Sequence, residues 1–162
     1  MEHHSQDYVD WMNDPDMICY MESGGDYTGE KLRKFLKEVE EKEILFLAIH
    51  LKENGMHLGK IKMDPINEKD GRVEYGIMMG RKSEWGKGYA REASNTIIDY
   101  CFEELGIRKI TLGVVAVNEA ALHLYRSMGF SEEGVYKKHS LYEGKYSNIV
   151  RMALFNPDFK YE

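Results

Sequence analysis

Two glycines one residue apart, in Trp85-Gly86-Lys87-Gly88-Tyr89-Ala90, stand where an alternating strand pattern gives way to a long helical one. Glycine tolerates unusual dihedrals and lets a ligand approach the backbone with no Cβ in the way. The first N–H groups of the following helix lack intrahelical partners and add to the positive end of its dipole. That combination suits an anion such as a pyrophosphate. A lone glycine pair has a second reading, as a plain turn. Further along, Asn118 and Tyr125 lie seven residues apart, nearly two helical turns. They therefore share roughly one helix face, about 10 Å apart along the axis.

The elements that must carry these residues follow from hydrophobic period. Residues 5 to 12 and 29 to 42 read as helices, the second with Leu32, Phe35, Leu36 and Val39 at helical spacing. Ile44 to Leu51 and His57 to Met63 are short apolar runs divided by Asn54-Gly55, a hairpin signal. Val73, Tyr75, Ile77 and Met79 alternate with Glu74, Gly76 and Met78, a third strand that runs into the glycine loop. After the loop, Ala90, Ala93, Ile97, Cys101 and Leu105 predict a helix ended by Gly106. Ile110 to Val117 reads as a buried strand, and Asn118 to Met128 as a helix with Asn118 at its N-cap and Gly129 at C′. Two last strands, Phe130 to Leu141 and Tyr146 to Leu154, flank a turn at Glu143-Gly144. The order predicts a mixed α/β sheet with helices inserted between strands.

Length and composition set bounds on this reading. At 162 residues the chain fits a single domain over 1–162. Twenty-two basic against 28 acidic residues give a net charge of -6, which argues against general affinity for nucleic acid and is compatible with a cationic amine. Cys19 and Cys101 match no C-x-x-C or zinc spacing, and both read as small apolar fillers in a reducing compartment. The six histidines, His3 and His4 included, show no H-E-x-x-H or comparable spacing, so no metal is expected. No apolar run approaches the roughly 20 residues of a bilayer span and no signal-peptide pattern opens the chain. A cytoplasmic protein without membrane or nucleic-acid partners is the expectation.

The order strand, glycine loop, helix, strand, followed by Asn118-x-x-Ala121-x-x-Leu124-Tyr125-x-x-x-Gly129-Phe130, resembles the GNAT superfamily of acyl-CoA-dependent N-acetyltransferases over about residues 7 to 155. Trp11-Met12-Asn13-Asp14-Pro15, the glycine loop and Tyr142-Glu143-Gly144-Lys145-Tyr146 are similar to landmarks of the branch that holds ribosomal-protein-alanine, spermidine and amino-sugar-nucleotide acetyltransferases. Two departures stand out. The family's phosphate motif usually carries Gln or Arg three residues before its first glycine, where this chain has Ser83, with Arg81 two residues earlier. Related chains also begin with a strand before the Trp-x-Asn-Asp-Pro helix, whereas only Met1 to His4 precede it here. A missing first strand would leave a sheet edge that is either covered, for example by a second subunit in a homodimer, or remains an association liability.

The resemblance implies acetyl-CoA as co-substrate and a role for each site residue. Gly86, Lys87, Gly88, Tyr89 and Ala90 would bind the pyrophosphate, and the backbone near Met78 and Met79, where a bulge is expected, would supply the oxyanion donor and pair with the pantetheine arm. Tyr125 takes the general-acid position, protonating the departing thiolate, and Glu74 the position of a base for the attacking amine, directly or through water, with water chains or other residues able to serve instead. A solvated strand carboxylate is the other reading of Glu74, and helix capping alone the other reading of Asn118, which the resemblance makes a CoA or water ligand. Asp14, Asp16, Glu22 and the acidic stretch Glu38 to Glu43 could receive an amine or simply form a solvated face. The expected reaction is direct acetyl transfer to a primary amine in a ternary complex. A small amine such as an amino-sugar nucleotide leads over a protein N-terminus, and a non-catalytic acyl-CoA sensor is the rival from another class.

Overall fold

A computed structural model describes residues 5–21 and 24–160. The elements in chain order are α1 (Gln6–Trp11), α2 (Pro15–Ile18), α3 (Gly29–Glu41), β1 (Leu45–His50), β2 (His57–Asn67), β3 (Arg72–Met79), a 3-10 turn (Lys82–Glu84), α4 (Tyr89–Glu103), β4 (Lys109–Val115), α5 (Glu119–Ser127), β5 (Ser131–Tyr142) and β6 (Lys145–Phe155). The strands form a six-stranded, mostly antiparallel sheet in the order β1-β2-β3-β4-β6-β5. This is the mixed α/β architecture that the order of periods predicts. The expected absence of a first strand before α1, and His3, His4 and Glu22, lie outside the described residues.

The chain divides into two compact units, one of Met1–Met63 with Gly76–Ala90 and one of Asp64–Tyr75 with Arg91–Glu162. In the first, each short helix starts at a side-chain cap. Ser5 Oγ accepts the Tyr8 amide, Asp14 the Asp16 amide and Thr28 Oγ1 the Lys31 amide, each satisfying a donor the helix leaves orphaned. α2, a single turn started by Asp14 and Pro15, has no sequence signature of a helix, because four residues show no hydrophobic period. Tyr8, Trp11 and Met12 pack with Leu32, Leu36 and Phe46 as the core of this unit. β1 and β2 pair antiparallel from Leu45↔Met63 to His50↔His57 across the Asn54-Gly55 turn, with a bulge at Ile49/His50.

In the second unit, β3 pairs parallel with β4 only from Arg72↔Lys109 to Glu74↔Thr111. β4 continues antiparallel with β6 over Lys109↔Phe155 to Val115↔Ile149. β6 and β5 form the last hairpin, turned at Glu143 and Gly144, both at positive φ (47° and 75°), the type I′ chemistry that matches strand twist. Ile97, Ile98 and Cys101 of α4 and Ile110, Leu112 and Met152 of the strands are buried. Burial raises the Cys101 thiol to about 11, consistent with its reading as an apolar filler.

Candidate active site

The glycine loop is a turn whose shape only glycine adopts easily. Gly86 and Gly88 have φ of 76° and 88°, while a Cβ built on either meets nothing within 4 Å. Backbone conformation, not crowding, requires glycine at both positions. The approach to the loop is pinned by Trp85, whose Nε1 donates to Met79 O at 2.8 Å and whose amide donates to Lys82 O at 3.1 Å. Lys87 Nζ reaches back to Glu84 at 2.8 Å. Tyr89 and Ala90 are the first two residues of α4, so the loop ends on a helix N-terminus.

Upstream of the loop, Leu58 O accepts from both Gly80 N (2.8 Å) and Arg81 N (3.2 Å). Two consecutive amides on one carbonyl mark an irregularity of the bulge type. It falls just past the end of β3, one residue beyond the Met78–Met79 pair. Met78 is buried. Ser83 Oγ lies 3.4 Å from Glu84 Oε1. The Arg81 guanidinium pairs with Asp7 and lies 5.9 Å from the Trp11 ring. Its neighbour Lys82 bridges Asp14 and Asp16 at 2.7 and 2.6 Å. Asp14 and Asp16 are thus engaged within their own unit.

Tyr125 is placed by the way α5 ends. Phe130 N donates to Tyr125 O at 3.0 Å and Gly129 N to Arg126 O at 3.1 Å, with Gly129 at φ 93°. This crossed pair is a Schellman motif, and the Tyr125 and Phe130 rings, 5.8 Å apart, supply its usual hydrophobic contact. Tyr125 also meets Tyr75 edge-on at 5.9 Å, and the Tyr75 hydroxyl is fixed by Ser94 Oγ at 2.6 Å. The Tyr125 side chain is buried, with its hydroxyl free of hydrogen bonds to the protein among the described residues. Burial pushes its phenol up to about 12. At the other end of α5, Asn118 Oδ1 accepts the Ala121 amide at 3.1 Å, the capping role in its bland reading. Its amide nitrogen keeps two donors, so capping does not exhaust the side chain.

Glu74 is the residue whose surroundings the sequence did not reveal. Arg151 grips it in a fork, Nη1 to Oε1 at 2.8 Å and Nη2 to Oε2 at 2.7 Å, and Thr111 Oγ1 donates to Oε2 at 3.0 Å. Gly113 makes room for that fork, since a Cβ there would lie 2.8 Å from Arg151 Nη1. Burial alone would raise the Glu74 carboxyl, but the hydrogen bonds and charge of Arg151, with Thr111, outweigh it and hold the group below the usual carboxylate range. A carboxylate so engaged is a weak base, and taking a proton would require loosening its hold on Arg151. The register Glu74↔Thr111, with Gly113 opposite Arg151, brings the four together from residues far apart in sequence.

Residues 1–131 match the family model described as an acetyltransferase (GNAT) domain. The chain belongs to the GNAT family. It is 34% identical over 106 residues to spermidine N(1)-acetyltransferase of Escherichia coli (strain K12), covering 65% of this chain and 56% of that protein. It is 25% identical over 109 residues to a putative ribosomal N-acetyltransferase of Bacillus subtilis (strain 168), covering 67% and 59%. These matches span little more than half the length of those relatives. In three dimensions it superposes on a spermidine N-acetyltransferase from Vibrio cholerae, solved in complex with CoA and spermine, with a TM-score of 0.85. That superposition covers 91% of this GNAT chain and 87% of the other at 24% identity, a likeness of fold.

Proposed function

We propose that this GNAT chain transfers acetyl from acetyl-CoA to the primary amine of a small molecule by direct attack in a ternary complex. The observation that carries the reading is Tyr125: a buried phenol held by a Schellman motif, with its hydroxyl unused by the protein among the described residues. A module that only senses acyl-CoA has no need of such a donor. In this reading the backbone amides of Gly86 to Ala90 hold the pyrophosphate, the backbone near Met78 and Met79 receives the oxyanion and pantetheine, and the free amide of Asn118 donates to CoA or an ordered water.

The amine nitrogen attacks the thioester carbonyl, the tetrahedral intermediate collapses with cleavage of the C–S bond, and the thiolate leaves while the amine loses a proton. A free thiol of the cysteine type titrates near ~8.5. Full transfer from a phenol at about 12 would be uphill by roughly 5 kcal/mol at ~1.36 kcal/mol per pKa unit. Burial raises a thiol as it raises a phenol, which narrows the gap, and a hydrogen bond from Tyr125 stabilises the sulfur before the proton moves. Because Glu74 is engaged by Arg151, we assign removal of the amine proton to water and leave Glu74 a positioning role.

Among acceptors, a polyamine-type alkylamine moves ahead of an amino-sugar nucleotide, supported by the E. coli relative. The protein N-terminal alternative is supported by the B. subtilis relative at lower identity. Thiol release from acetyl-CoA, measured with spermidine, an amino-sugar nucleotide and an alanine-terminated peptide, ranks the three. Tight CoA binding with no release above hydrolysis for any amine would overturn the enzyme reading.

A further inference from the structure

A depression of about 550 Å³, a cavity wide open to solvent, lies at the β2–β3 turn, lined by Glu68 to Gly71, by Gly106 and Arg108, and by Phe159 and Lys160. It shares no residue with the candidate active site. Its volume is within the roughly 300–1,000 Å³ of small-molecule pockets. On a chain of net charge -6, the balance here is reversed. Lys69 and Lys160 have no carboxylate partner among the described residues. The carboxylate of Asp70 is occupied, accepting from Asn67 Nδ2 at 3.0 Å and from Arg72 Nε at 3.3 Å. Among the described residues, Glu68 is the one lining carboxylate not so engaged.

Arg108 is held in place. Its Nε donates to Asp70 O at 2.6 Å, its amide to Gly71 O at 2.8 Å, and its side chain passes so close to Gly71 that a Cβ there would lie 3.2 Å from Arg108 Cγ. Both Nη groups remain as donors among the described residues, in the planar fork that matches phosphate oxygens. The chain after β6 is tied to the same place. Buried Asn156 donates from its side chain to Ile107 O at 3.2 Å, its amide donates to Arg108 O at 2.9 Å, and Phe159 N donates to Asn156 O at 3.3 Å. These bonds bring Lys160 to the cavity.

We propose that this cavity binds a small polyphosphate anion, with Arg108 as the forked ligand and Lys69 and Lys160 as flanking charges. Tripolyphosphate titrated into the full chain saturated with CoA, and followed by backbone amide NMR shifts, tests it. CoA occupies any phosphate site at the glycine loop, and the map separates the two places, so failure of CoA to bind would not be confused with failure here. Saturable shifts are expected at Gly71, Gly106 and Arg108. Arg108→Gln should weaken binding by about tenfold. Arg108→Lys, which keeps the charge and loses the fork, should fall between it and the parent. Lys69→Gln and Lys160→Gln should each cost about threefold, and Glu68→Gln should tighten binding by about twofold. Lys52→Gln, in the β1–β2 turn, should change nothing. Shifts that do not saturate, shifts confined to the glycine loop, equal affinity in a folded Arg108→Gln protein, or an equal loss in Lys52→Gln would overturn the proposal. Citrate binding as tightly as tripolyphosphate would overturn the assignment to phosphate.

Discussion

In the unit of Met1–Met63 with Gly76–Ala90, the groups proposed to meet a ligand are backbone amides of an exposed loop. In the unit of Asp64–Tyr75 with Arg91–Glu162 they are side chains fixed by packing and ion pairs. The first depends on dihedrals, since a Cβ at Gly86 or Gly88 has open space around it. The second depends on neighbours, since Tyr125 is set between Tyr75 and Phe130 and Glu74 is gripped by Arg151. Buried charge also differs between the two. Lys60 of the first unit has its ammonium 5.0 Å from the Tyr8 ring centre and 5.2 Å from that of Phe46, with a 2.7 Å hydrogen bond to Tyr8 Oη, and no carboxylate beside it among the described residues. Glu74 of the second has a matched cation. Backbone sites should therefore fail through conformation, side-chain sites through chemistry.

The largest expected effect tests the side-chain half. Tyr125→Phe should lower turnover by about a hundredfold while CoA affinity, read by calorimetry, stays within about twofold. Stability should hold within about 1 kcal/mol, because among the described residues the hydroxyl makes no protein hydrogen bond to lose. Undiminished turnover would remove Tyr125 from the reaction. Gly86→Val probes the backbone half. A β-branched residue at φ 76° would carry roughly 1–3 kcal/mol of strain, so the free loop should relax away from that φ with little change in Tm, and CoA affinity should fall by about tenfold to hundredfold. Normal affinity would show that the loop does not hold the donor.

Lys60→Met is next in size and should stabilise the protein by about 1–2 kcal/mol at pH 7, since relief of the buried ammonium outweighs the hydrogen bond lost by the Tyr8 hydroxyl. Burial pulls the Lys60 ammonium down to about 8, so between that value and the ordinary one near 10.5 the unfolded chain binds more protons. Parent stability should then rise as pH climbs from about 8 towards 10, and denaturant titrations should show that slope flattened in the variant. An equal slope in both would mean that Lys60 is not its source. Glu74→Gln should have the smallest effect, about 1 kcal/mol, because its side chain is 34% exposed and solvent screens the pair. The depressed carboxyl contributes stability above its unfolded value, and that contribution is lost as pH falls through the folded one. A hundredfold loss of turnover in this variant, with folding intact, would restore Glu74 as the base.

Legibility followed the range of the interactions. The Asn54-Gly55 hairpin, the Gly106 stop and the Asn118 cap were readable because each is decided within a few residues. The Tyr-x-x-x-Gly-Phe pattern was readable for the same reason: its spacing is that of a Schellman motif, which itself places the tyrosine. α2 escaped notice because it is too short for a period. The Arg151 fork, the Arg81–Asp7 pair and the Lys60–Tyr8 bond were not legible, since they join residues 77, 74 and 52 positions apart.

The sequence by itself determined the element order, the turns, the caps and the two motifs that mark the family, because hydrophobic period and glycine placement act locally. Tertiary structure alone decided which charges are available. It engaged Glu74, paired Arg81 with Asp7, left the Tyr125 hydroxyl without a hydrogen bond among the described residues and gathered Lys69, Arg108 and Lys160 around one cavity. The physical reason is that an ionisable group's reactivity depends on its burial and its partners in space, and strand register rather than sequence separation sets both.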